Sequence, residues 1–371
     1  MTYYIILMII YSILGIMEFG GHLNVKRRAF FVTALLLPMT CLVAFRADSV
    51  GNDTLEYEFS YVHIASYTSF EEFMRYGGHM EMGYTFSSYV FSQMGLDFFN
   101  FQALVAFFSF FSFGRFIYKY SPNVSASCFL ISTSVLYTSM NIMRMELAVA
   151  ILLFSIPYIQ ERDWKRFIIV VIIASCFHKS SILFLIMYPL GTLKYDSRVV
   201  SLIILSSMVI AYMGVTFFRF VTSEVGLYEN YLNKGYFSED RSVFAVSVLF
   251  VETLLVLLMF KWTRYFDIPQ YIENENDTKN YISFAYISRM AFWIVFAFSI
   301  IGFSNNMMNR LSGYFSIMTI IMIPYAITCI RSKDIQKTLF FIMSVIYIME
   351  RVTIWTLRPG WNHVVPYEWG F

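Results

Sequence analysis

Long apolar runs separated by short polar breaks account for most of the chain. They lie near 3–20, 29–45, 98–118, 123–140, 144–160, 166–193, 197–218, 242–260, 284–303, 311–330 and 338–355. Lipid offers a backbone N–H or C=O no partner, so each run has to satisfy its own polar groups as a helix. Three polar stretches are longer than the rest: 46–97, 219–241 and 356–371. The pattern predicts an all-α polytopic integral membrane protein. Its single membrane domain, residues 1–371, would hold about eleven or twelve transmembrane helices.

Composition agrees. Of 371 residues, 58 % are hydrophobic and only 14 % charged, against roughly 25 % charged in soluble domains. Mean hydropathy is +0.60. The 40 Phe and 27 Tyr suit lipid-facing surfaces and interfacial belts. A net charge of +2 without a basic tail or an acidic block gives no footprint for nucleic acid. Cys41, Cys128, Cys176 and Cys329 sit in or beside apolar runs with no CxxC pair, which suggests small buried thiols. The opening "MTYYIILMIIYSILGIMEF" has no positive n-region and no small-residue cleavage site. It therefore predicts a first membrane helix rather than a signal peptide.

Orientation follows from Lys and Arg in short loops. A cytoplasmic "NVKRRAF" (24–30) places 46–97 outside and returns "GRFIYKY" (114–120) and "QERDWKRF" (160–167) to the cytoplasm. If 166–193 were one crossing, "KYDSR" (194–198), "KWTR" (261–264) and "RSKDIQK" (331–337) would all face outward. A fold-back at "CFHKSS" (176–181) restores all three and puts His178 at the outer face. Short helices of this kind are tolerated where they line a cavity. The segment 82–100 fits an interfacial helix better than a crossing.

This topology gathers Arg46, Asp53, Glu56, Glu81, Arg144, His178, Arg310 and the C-terminal tail on one side. Each has an ordinary use. Arg46 can be a snorkelling anchor, Asp53 a turn residue, Glu81 a helix cap and His178 a structural group at a helix break. Arg144 lies between two apolar runs, where charge is expensive unless paired or hydrated. Arg310 stands at a helix start, where the dipole disfavours a cation and favours an anionic partner. There is no HExxH, Walker A, dinucleotide fingerprint or GxSxG, so the substrate would arrive already activated. Several arginines on one face suit a phosphate-bearing one, because a guanidinium grips phosphate in a bidentate fork. No cofactor is called for. No metal is required either; Asp48, Asp53 and Glu56 come nearest to a cation site, without a convincing octahedral set.

With these residues in view, the chain resembles the EpsG-type family of Wzy-like bacterial polysaccharide polymerases. The resemblance rests on "FRADSVGNDTLEYEF" (45–59), "MEMGYTF" (80–86), "NIMRMELAVAILLFS" (141–155), "ASCFHKSSILFL" (174–185), "NRLSGYF" (309–315) and "VVPYEW" (364–369). Asn52 stands where the family often has Thr, and Glu146 where it often has a neutral residue.

The resemblance implies a GT-C-like bundle in the bacterial plasma membrane. It also implies joining of oligosaccharide repeats carried on undecaprenyl diphosphate at the outer face, for capsule, exopolysaccharide or O-antigen. Flippase and chain-length regulator proteins would be partners beside the lipids. Arg46, Arg144 and Arg310 would hold the diphosphate, and Asp53, Glu81 and His178 would be candidates for orienting or deprotonating the acceptor hydroxyl. A glycan ligase, a polysaccharide flippase and a membrane acyltransferase acting on glycans remain alternatives.

Overall fold

In the computed structural model, residues 1–21, 27–77, 80–192, 198–210, 212, 275–302 and 306–371 are described. The expected outer element 219–241 and the apolar segment 242–260 lie outside them. The chain divides into two compact units, Met1–Leu185 with Ile330–Phe371, and Ile186–Cys329.

The first unit contains α1 (Thr2–Phe19), α2 (Arg28–Ala44), α3 (Thr54–Ala65), α4 (Phe70–Tyr76), α5 (Met82–Gln93), α6 (Phe98–Tyr120), α7 (Val124–Thr133), α8 (Val135–Asn141), α9 (Met143–Leu152), α10 (Ile156–Gln160) and α11 (Trp164–Phe177). The helix Lys333–Leu357 completes it. The second unit holds Met187–Thr192, Arg198–Ile210, Glu275–Gly302, Asn306–Ser316 and Thr319–Thr328.

The protein is a multi-pass α-helical membrane protein. Among the described residues, five helical stretches are long and apolar enough to cross a bilayer: Thr2–Phe19, Phe98–Tyr120, Met143–Gln160, Phe284–Ile301 and Lys333–Leu357. A sixth arises if Arg310–Ser316 and Thr319–Thr328, bent by 47°, form one span. Other expected segments coincide with shorter apolar helices, Arg28–Ala44, Val124–Thr133, Lys179–Gly191 and Arg198–Ile210.

Two expected elements are interrupted, each for a local reason. The run 123–140 breaks at Ser134, whose backbone leaves the helical region (φ −135°, ψ −69°). Here Ser132, Thr133 and Ser134 all bond back to carbonyls one turn earlier, which competes with the helix ladder. The run 82–100 ends at Gln93. Gly95 takes the left-handed φ of +78°, and Asp97 then caps α6 by accepting from the Asn100 N–H at 2.8 Å.

Polar side chains fasten the helix ends of the first unit. Arg28 donates to the carbonyls of Tyr118 (2.8 Å), Ile117 (3.1 Å) and Ser121, covering the C-terminus of α6 with the charge its dipole favours. Glu18 accepts from the N–H groups of Val124 and Ser125, both at 2.9 Å, and so caps α7 from the end of α1. Asn123 adds a bond to the Gly15 carbonyl at 3.1 Å. Glu18→Ala is expected to lower stability by about 0.5–2 kcal/mol, the range of a lost N-cap. Thermal unfolding of the solubilised protein measures it.

Candidate functional site

Three sequence segments meet around the start of α9, where Arg144 is the second helical residue. A cation there opposes the helix dipole, so it needs a partner. Glu81 supplies one. It occupies the cap position of α5, yet its side chain makes no capping bond. Its Oε2 accepts from Arg144 Nη1, and its Oε1 accepts from the Lys179 N–H at 3.3 Å. The two side chains keep only 21 % and 12 % of their exposure, and the Arg144 Nε is buried without a hydrogen-bond partner. The pair is thus half sheltered, with donor capacity to spare.

Two tyrosines form a shelf under the guanidinium. Its carbon lies 5.3 Å from the Tyr57 ring centre and 5.9 Å from that of Tyr84, within cation–π range. Tyr57 comes from α3 and Tyr84 from α5. They pack with Tyr61, Phe98, Phe101 and Met143 in one apolar cluster. Burial pushes the Tyr57 hydroxyl up to about 12 against the pull of Arg144, and Asp53 adds to the rise. Burial raises Tyr84 as well. Both phenols therefore stay neutral donors at physiological pH.

Three residues of the "MEMGYTF" stretch act together here. Glu81 binds Arg144, Tyr84 lies beneath it, and Gly83 lets α5 approach the end of α11, since a Cβ there would stand 2.8 Å from the Cys176 carbonyl oxygen. That approach brings in His178. α11 stops at Phe177, and His178 is extended (φ −151°, ψ 112°), with Nδ1 2.8 Å from the Ser180 hydroxyl. The break expected inside 166–193 is present at this residue, and Lys179 joins it directly to Glu81.

Arg46 lies deeper. It is 1 % exposed, so it is no snorkelling anchor. Nη1 donates to the Val43 carbonyl at 2.5 Å. Burial pushes its guanidinium down to about 10, while Tyr367, Tyr57, Tyr4 and Tyr84 oppose the shift; it remains a cation at neutral pH. Tyr57 and Tyr84 thus stand within electrostatic reach of both Arg46 and Arg144.

The loop carrying Arg46 and Asp53 is clasped by the C-terminal segment. Arg46 bridges Trp369, Ala47 N–H donates to Glu368 O at 3.0 Å, Gly51 N–H to His363 O at 2.9 Å, and Gly370 N–H to Phe45 O at 2.9 Å. The Asn52 amide donates to Trp361 O at 2.9 Å, and its backbone N–H donates to Asn141 Oδ1 at 2.9 Å. Asn52 is therefore a working joint between loop, tail and α8. Asp53 sits at the cap position of α3 without a side-chain capping bond. Gly51 has φ +98°, and a Cβ there would run into the Met140 carbonyl oxygen. Gly51→Ala is expected to lose about 1–3 kcal/mol to backbone strain alone, read as a fall in Tm.

Arg46, Asp53, Glu81, Arg144 and His178 all belong to the first unit, and the contacts above tie Glu81, Arg144 and the residue after His178 together. Arg310 belongs to the second unit, exposed, in the helix Asn306–Ser316. Tyr57, Tyr84, Asn141 and Trp361 were not among the sequence candidates. Aromatic density concealed the tyrosines, although their place on the helices flanking Asp53 and Glu81 was a usable signal. Among the described residues no three His, Cys, Asp or Glu side chains are grouped to hold a metal ion.

The sequence model of the EpsG family matches residues 29–369. No curated protein and no solved structure matches the chain.

Proposed function

The chain belongs to the EpsG family, and from that premise we propose that it polymerises oligosaccharide repeats carried on undecaprenyl diphosphate at the outer face of the bacterial plasma membrane. The observation that carries this reading is the half-sheltered Arg144–Glu81 pair on its tyrosine shelf. A guanidinium with spare donors, held beside a carboxylate in a multi-pass membrane protein, suits a lipid diphosphate and a sugar hydroxyl side by side.

In this mechanism the acceptor hydroxyl attacks the anomeric carbon of the donor chain. A new C–O bond forms there, and the C–O bond to the diphosphate breaks. The electron pair leaves with undecaprenyl diphosphate, and the hydroxyl proton passes to a base. Arg144 stabilises charge growing on the leaving diphosphate, where fixed donors in a poorly hydrated site count most. Arg46 adds its charge from below, and Arg310 is the third arginine proposed for the diphosphate. Asp53, Glu81 and His178 are the groups proposed to orient the acceptor or take its proton. Flippase and chain-length regulator proteins are the proposed neighbours in the membrane.

Reconstitution with a defined lipid-linked repeat tests the reading. Chain growth without added nucleotide is the expected result. No growth with the correct repeat in native lipid would overturn it.

A further inference from the structure

Beneath the site, Arg46 lines a small internal cavity together with Gln102, Ser109, Ser139, Met143 and Glu146. The polar groups around it are buried and underused. Arg46 Nε and Nη2, Gln102 Oε1 and Ser139 Oγ all lack a hydrogen-bond partner. Gln102 is held with its amide nitrogen toward the Ala44 and Arg46 carbonyls, at 3.3 and 3.1 Å, so its oxygen is left for another donor. Glu146 is 6 % exposed. Among the described residues Arg46 makes a single side-chain hydrogen bond, to Val43 O, and no ion pair joins it to Glu146.

A buried guanidinium with most of its donors idle costs several kcal/mol if nothing answers it. The four idle atoms need acceptors and donors at once. A water molecule supplies both, and the cavity has room for about one. An anion would satisfy Arg46 but meet the Gln102 oxygen and the Glu146 carboxylate, which favours water. We infer that this cavity is a hydrated internal site, in which bound water takes hydrogens from Arg46 and the Ser139 hydroxyl and gives its own two toward Gln102 Oε1 and Glu146, linking Arg46 to Glu146 through the water. This assigns a role to Glu146 in the "MRMELA" stretch. It does not depend on the polymerase reading.

Two measurements test it, neither needing activity. X-ray radiolytic footprinting of the unaltered protein compares Met143, on the cavity, with Met145 on the same helix; they are 3 % and 4 % exposed. Bound water should make Met143 oxidise several-fold faster. A double-mutant cycle then pairs Arg46→Met with Glu146→Leu. Each alone should lower Tm by several degrees, because each removes a partner of the same water, and the double variant should lose clearly less than the sum. Equal oxidation of the two methionines, or losses that add, would overturn the inference. If Arg46→Met does not fold, the footprint of the unaltered protein decides by itself.

Discussion

Arg144→Ala is expected to cut chain growth on a defined lipid-linked repeat by about a hundred-fold or more, the usual effect of removing one fixed donor from developing charge. The loss should exceed any change in folding. Arg144 sits at the rim of the apolar cluster rather than within it, and it keeps 21 % of its side-chain exposure. Arg144→Lys should recover little, because an ammonium keeps the charge but loses the fork and the flat face that rests on Tyr57 and Tyr84. Glu81→Gln separates two roles. If the carboxylate only holds Arg144, the amide should preserve much of the activity; if it takes the acceptor proton, activity should fall as far as in Arg144→Ala. Product length on a gel, together with the Tm of each purified variant, gives both readings. A wild-type length distribution from Arg144→Ala would remove Arg144 from the mechanism.

Deleting residues 361–371 is expected to reduce chain growth by about a hundred-fold, the effect of misplacing a positioned group by roughly an ångström. The helices should remain. The segment makes no part of a membrane span, but its carbonyls and amides hold Phe45, Ala47 and Gly51, its Trp361 carbonyl takes the Asn52 amide, and the Tyr367 hydroxyl reaches Leu42 O at 3.1 Å. Without these bonds the loop bearing Arg46 and Asp53 loses its register. Helical circular dichroism should persist while activity disappears. Full activity in the truncated protein would show that the clasp positions nothing the reaction needs.

Hydropathy made the multi-pass α-helical character legible because lipid imposes one rule on every segment; its count of eleven or twelve crossings goes beyond the five or six long apolar stretches among the described residues. Helix ends were harder to see. Ser134 and Gly95 interrupt apolar runs through side-chain back-bonding and a left-handed turn, which barely change local hydropathy. The chemistry-bearing residues stood out as charges in an apolar chain, so Arg144 and Glu81 were both visible. Their pairing across 63 positions was not, since nothing local encodes it. Glu81 also looked like an ordinary helix cap. It holds the cap position while its carboxylate is used elsewhere, a distinction only packing reveals. The tyrosine shelf was hidden for the opposite reason: Tyr57 and Tyr84 are two of 27 tyrosines, and only their place beside Asp53 and Glu81 set them apart.

The clasp also has a consequence for the order in which the protein comes into being. A ribosome adds Asn52 to the chain 309 residues before its partner Trp361. Until residues 361–370 emerge, the Ala47 and Gly51 amides lack the carbonyls they bond in the finished fold. Arg28 waits in the same way for the end of α6, and Glu18 for the start of α7. The loop that carries Arg46 is thus made long before it is completed, so a nascent chain stalled before Trp361 would carry the helices up to Leu357 without a finished site.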